Sequence, residues 1–183
     1  MSADFTICPM SLRDCRRGLF RRFIRHSEDM QVWKYASGAG ILVEEAFLRD
    51  WDRAKRRRME ESLRQNLRQG SAAFAAWKGR RLAGYCILKP QPLGSRGQYL
   101  LLHCLQISKQ YRGFGLGKRL FRLACGEARA RGAEKLCISS SPSADTVAFY
   151  RRMGCTEAAE RIPSLLEAEP EDYQMEFDLL DVH

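Results

Sequence analysis

Three glycines in five residues, set between an apolar stretch and a helical pattern, constrain this chain more than any other feature. The run is Gln110-Tyr111-Arg112-Gly113-Phe114-Gly115-Leu116-Gly117-Lys118, with Tyr99 to Ile107 before it and Arg119 to Arg131 after it. Where a strand must turn into a helix, missing Cβ atoms let several backbone N–H groups converge on one anion. A helix starting near Gly117 adds its unpaired donors and positive dipole end. Arg112 and Lys118 bring full charges. The run therefore reads as a phosphate cradle. A P-loop is excluded, because Arg112 stands where its first glycine belongs and Arg119 where Ser or Thr must follow the lysine. A dinucleotide fingerprint fails too: counted from Gly113 it meets Lys118, and from Gly115 it meets Leu120.

What remains is Arg-x-x-Gly-x-Gly, and the downstream sequence adds a second signature. Leu120, Phe121, Leu123, Ala124 and Ala128 give the next helix an apolar face, and Gly132 closes it. Lys135 to Ser139 reads as a short strand. Pro142 and Ser143 then open a helix that ends in Phe149-Tyr150-Arg151-Arg152-Met153-Gly154. Arg-x-x-Gly-x-Gly followed by Phe-Tyr-x-x-x-Gly resembles the GNAT superfamily of acetyl-CoA-dependent N-acetyltransferases over about residues 80 to 155, with fainter echoes at Phe5 to Met10 and Tyr173 to Leu179. Departures are Ser143 at a place where many relatives carry Asn, Lys109 for a frequent Pro, and Cys155 for the usual Phe. Residues 12 to 70 carry no comparable signature.

The resemblance implies an α/β (α+β) fold: a single domain over 1–183, with a mixed, mostly antiparallel sheet flanked by helices and its fourth and fifth strands splayed. The residues give the same class. Strands are expected at 5–10, 72–77, 81–88, 99–107 and 135–139, helices within 12–30 and 50–69, and a loop at Lys89 to Ser95. As the resemblance has it, acetyl-CoA is the co-substrate and no metal is needed. Its pantetheine arm pairs with the main chain of Leu105, Gln106 and Ile107, and Ser143 lies beside that arm. The amides of Arg112, Gly113, Phe114, Gly115, Leu116, Gly117 and Lys118 hold the pyrophosphate. Tyr150 is the family's usual acid, donating to the departing thiolate.

Direct attack of an amine on a thioester also calls for a proton acceptor, because an alkyl ammonium near pKa 10 keeps only about one part in a thousand neutral at pH 7. His103 is the candidate base; a buried structural histidine is the competing reading. Cys104 beside it does not form a dyad with it, since adjacent strand residues point to opposite faces. The acceptor is expected to be a primary amine on a small molecule or peptide, met by Leu12 to Gly70 and by the acidic segment Ile162 to Asp172. A GNAT-like sensor that binds acyl-CoA without turnover is the alternative, and a homodimer is compatible with either.

Charge and cysteine content bound the partners. Thirty-one Lys and Arg against 22 Asp and Glu leave a formal net charge of +9. Arg13 to Arg25 and Arg53 to Arg58 hold much of it, in patterns that also present apolar faces, so solvated arginines are the simplest reading. The sharper reading is a footprint for an anion, either CoA with its phosphates or nucleic acid; a basic nucleic-acid-binding protein is a further alternative, though no base-stacking aromatics or groove-reading motif support nucleic acid as a partner. Seven cysteines without a Cys-x-x-Cys pair suit small buried hydrophobes in a reducing, cytoplasmic setting. The longest uncharged run, Gly97 to Ser108, is too short for a membrane span, and Met1 to Asp4 lacks the character of a secretory signal.

Overall fold

The computed structural model describes residues 4–180, so the start at Met1 to Ala3, read for a leader, lies outside the described residues. The chain falls into two compact units: residues 1–26, 50–90 and 102–127 form the first, and 27–49, 91–101 and 128–183 the second. Nine strands and four α-helices are described, with the strands distributed over a seven-stranded and a two-stranded sheet.

The first unit is built on β1 (Thr6–Pro9), β4 (Ala72–Lys78), β5 (Arg81–Leu93) and β6 (Tyr99–Ile107), adjacent in that order. β1 pairs antiparallel with β4, and β4 with β5 through a tight turn at Gly79. Residues 82–88 of β5 are all buried, the pattern of a strand covered on both faces. β5 runs on to Leu93, through the stretch expected to be a loop. The pairing with β4 stops at Leu88, so Pro90 and Pro92 lie where β4 offers no carbonyl for the N–H that proline lacks. Helix α1 (Arg53–Arg68) is capped by Asp52, whose Oδ1 accepts the Lys55 N–H at 2.6 Å. Its buried Leu63 joins Phe20, Phe23, Trp51, Tyr85 and Ile87 in the core.

Helix is not what residues 12–30 form. Leu12–Asp14 is one 3-10 turn, and Leu19, Arg21 and Phe23 each donate to the carbonyl three residues back. Gly18 sits at φ +81°, which interrupts any helix, and the aromatic rings after it fill the core instead. Phe20 lies 5.1 Å from Tyr85 and Phe23 stacks on Trp51 at 5.7 Å.

The second unit carries a feature absent from the expected elements, a hairpin of β2 (His26–Ala36) and β3 (Ala39–Asp50), most of which lies in this unit. Ser37 and Gly38 form its two-residue turn at φ +50° and +89°, the positive angles that primed hairpin turns require. β7 (Lys135–Ser140) pairs antiparallel with β9 (Tyr173–Asp178), and β8 (Thr156–Glu157) lies along β9's other side. Helices α3 (Ala144–Arg152) and α4 (Pro163–Ala168) belong to this unit, while α2 (Leu116–Ala130) lies mostly in the first. On α2, Leu120, Phe121, Ala124, Cys125 and Ala128 are buried; Leu123, expected on that face, is exposed.

Candidate active site

In the first unit, the end of β6 and the glycine run form one continuous piece of backbone whose entry is firmly tied. Gly84 on β5 lets β6 approach closely: a Cβ there would sit 2.4 Å from Ile107 Cδ1 and 3.0 Å from the Gln106 carbonyl. Ser108, fully buried, donates its N–H to Ala83 O at 2.9 Å. Its hydroxyl accepts the Ile24 N–H at 2.8 Å and donates to Gln110 Oε1 at 2.7 Å. Arg112 is used as a staple. Its guanidinium donates to the carbonyls of His26 at 2.6 Å and Ile107 at 3.4 Å, so the expected full charge is partly engaged in fixing the loop.

Beyond Arg112 the backbone opens. Gly113 and Gly115 take φ +82° and +73°, angles that L side chains rarely adopt, and no atom lies within 4 Å of a Cβ built on either. Buried Leu116 anchors the start of α2, whose first-turn amides have no intrahelical acceptor. The ladder begins with Arg119 N–H to Gly115 O at 3.2 Å. An exposed stretch of backbone, open at both glycines and running into a helix N-terminus, suits a diphosphate. The open space over these two glycines is the fit that a phosphate-bearing co-substrate would use.

His103 lies upstream on β6 and is exposed, which removes the reading of a buried structural histidine. Its pKa is lowered to about 4, by desolvation and by the nearby Lys89 cation. The surface it retains limits the first cause, and Lys89 pushes the same way. Neutral at pH 7, the ring can accept a proton. Cys104, on the other face of the strand, packs against the first unit's core. Burial pushes its thiol up to about 12, so it stays protonated and is no nucleophile.

In the second unit, Tyr150 is buried on α3, edge-on to Phe149 at 5.1 Å, and its carbonyl accepts the N–H groups of Met153 and Cys155 at 3.0 Å. Gly154, at φ +94°, then reverses the chain. Ser143 is fully buried, and its hydroxyl donates to Thr146 Oγ1 at 2.8 Å. The cap of α3 comes from elsewhere: Asp29 of β2 accepts the Asp145 N–H at 2.9 Å. β2 also donates the Trp33 N–H to Pro142 O at 2.7 Å, and Val32 bridges Ser143. Arg151 lies over the Trp33 ring at 3.9 Å. The hairpin therefore braces the helix that carries Tyr150, a role that only the Ser37-Gly38 turn signals in the sequence.

The model of the acetyltransferase (GNAT) family matches residues 41–155, which include the glycine run, His103, Ser143 and Tyr150. The chain belongs to the GNAT family of acetyltransferases. Among solved structures, nourseothricin acetyltransferase is similar at 19% identity and TM-score 0.70, over 96% of this chain and 98% of that one. A GNAT acetyltransferase from Staphylococcus aureus Mu50 is 13% identical with TM-score 0.62, over 96% and 99%. The PaiA N-acetyltransferase of Thermoplasma acidophilum, solved with coenzyme A, is 14% identical with TM-score 0.61, over 96% and 99%. At these identities the likeness is one of fold. No curated protein sequence matches. Among the described residues, no group of three His, Cys, Asp or Glu side chains could hold a metal ion, and no helix is long and apolar enough to cross a membrane.

Proposed function

We propose that this GNAT acetyltransferase transfers the acetyl group of acetyl-CoA directly to a primary amine, without an acyl-enzyme intermediate. The observation that carries this reading is the open backbone cradle at Gly113 and Gly115, continuous with β6 and closed by the start of α2. Acetyl-CoA supplies the activated thioester. The amides of residues 112–118 bind the pyrophosphate, and the main chain of Leu105, Gln106 and Ile107 aligns the pantetheine arm. Those roles need N–H and C=O groups, which is why the family resemblance tolerates varied side chains there.

His103, neutral at working pH, takes the proton of the attacking amine, directly or through a water. Its low basicity favours a brief relay over a stable imidazolium. Tyr150 donates its phenolic proton to the CoA thiolate as it leaves. Ser143 contributes position at the start of α3, because its hydroxyl is committed to Thr146. The acceptor is a primary amine; the Thermoplasma neighbour is itself named an N-acetyltransferase. The test is release of free CoA from acetyl-CoA across a panel of amines that includes nourseothricin, polyamines and peptide N-termini. Amine-dependent CoA release with acetylated product supports the reading. Tight acetyl-CoA binding with no release for any amine would instead favour a sensor.

A further inference from the structure

The two units carry opposite charge. The first holds 22 Lys and Arg against 7 Asp and Glu, while the second holds 9 against 15. Within the first unit the excess is concentrated on two segments that are docked to each other. Glu60 of α1, itself buried, accepts the N–H groups of Gly18 and Phe20, each at 3.1 Å. Arg64 of α1 donates to the Cys15 carbonyl through Nε at 3.0 Å and Nη2 at 2.9 Å. These bonds lock the arginine-rich turns of residues 12–25 against α1.

The outward residues of the pair are cationic. Arg13, Arg16, Arg17, Arg21 and Arg22 on the turns, and Arg53, Lys55, Arg57 and Arg58 on α1, are all exposed. None of these nine figures in an ion pair with a carboxylate among the described residues, whereas Arg64 and Arg68, further along α1, both pair with Glu61. The cations of α1 also stand at the wrong end of the helix. Apart from the capping carboxylate of Asp52 its first turn has no acidic residue, so Arg53 and Lys55 stand at the positive pole of the dipole and repel their neighbours one turn on. These exposed cations have no carboxylate ion-pair partner among the described residues, which leaves them available to an external polyanion.

We infer that this face of the first unit binds the phosphodiester backbone of nucleic acid, independently of base sequence. The chemistry is backbone-only: arginine forks match phosphate oxygens, and no aromatic side chain is interleaved to stack on bases. Binding of this kind releases condensed counterions and weakens steeply with salt. It uses side chains, whereas the acetyl-CoA cradle uses backbone amides of residues 112–118, although residues 22–26 are tied to the segment that leads into that cradle.

The test is fluorescence anisotropy with a labelled 20-mer duplex DNA, and the same length of single-stranded RNA, titrated with the full chain between 50 and 200 mM salt. A micromolar dissociation constant at low salt is expected, as is common for such contacts. The quadruple variant Arg17→Gln/Arg21→Gln/Arg57→Gln/Arg58→Gln should bind at least tenfold more weakly at 50 mM salt, with a salt slope flatter by about 0.9 per lost contact. A control, Lys34→Gln/Arg96→Gln/Arg131→Gln/Arg152→Gln, removes the same charge from the second unit and should bind as the parent does. Circular dichroism and melting temperature check that both variants are folded, whether or not acetyl-CoA binds. Absence of binding at 50 mM salt, or equal weakening in the two variants, would overturn the proposal. Binding to a polyglutamate peptide but to neither nucleic acid would also overturn it, since it would identify an acidic protein as the partner.

Discussion

His103 keeps its ring neutral well below the ordinary histidine range, and the consequence for stability has a definite sign. Its pKa is about 4 in the folded chain against about 6.5 unfolded, so between those values the unfolded chain binds more protons. Stability therefore falls as the pH is lowered through that window and is unaffected above it. His103→Gln should show less acid destabilisation between pH 6.5 and 4 than the parent, with the two melting curves meeting above pH 7. A variant as acid-sensitive as the parent would remove the low pKa from the account. Tyr150→Phe tests the other proton. It deletes one hydroxyl from a buried ring, so acetyl-CoA affinity should hold while turnover drops on the order of 10 to 1000 fold. Unchanged turnover would reduce Tyr150 to packing. At this scale the sequence identifies residue types but not their engagements. Nothing in Arg-x-x-Gly-x-Gly says that the Arg112 guanidinium is tied to the carbonyls of His26 and Ile107, or that the Ser143 hydroxyl is spent on Thr146. Such bonds join residues distant in sequence, or follow from rotamers set by packing.

The hairpin of β2 and β3 is the element whose consequences reach furthest from its own residues. Its strands are mostly exposed or half-buried on both faces, with Val32 alone fully buried on β2, so no clean alternation betrays them. It is held by rings: Tyr35 stacks on Tyr173 at 5.0 Å, Trp33 meets Tyr173 at 5.6 Å, and Arg161 covers Tyr35 at 3.6 Å. Gly40 makes room for this stack. A Cβ there would lie 2.0 Å from the Tyr173 hydroxyl, which is bonded to Glu157 at 2.7 Å. Gly40→Ala must displace that ring, at a cost of about 1–3 kcal/mol. The melting temperature should drop by roughly 2–12 °C for a domain of this size. Because β2 caps α3 through Asp29, turnover should fall with it; a variant that melts like the parent would show that the hairpin braces nothing. Most elements from Gly70 onward are legible because strands there are buried and helices one-sided; the run of β5 past Leu88, the two-residue β8 and the short α4 are not. The turns of residues 12–25 were not, since aromatic rings at 20 and 23 mimic a helical stripe while Gly18 quietly breaks it.

At the scale of the whole molecule, the chain divides into a basic unit and an acidic one. Sequence patterning recovers the strand order's local parts, because β4-turn-β5 and β6-loop-α2 are contiguous in the chain. Composition alone gives only the net +9 and hides its division. The central claim is narrower than either charge pattern: the backbone at 112–118 is a diphosphate cradle serving acetyl-CoA. Calorimetric titration of the unaltered protein with acetyl-CoA and with S-acetylpantetheine, which keeps the thioester arm but lacks the diphosphate and nucleoside, tests it without straining a glycine. Several charge-assisted N–H bonds to the pyrophosphate should make acetyl-CoA at least about 100-fold the tighter ligand, about 2.7 kcal/mol. Equal affinities, or no binding of acetyl-CoA at all, would contradict the account.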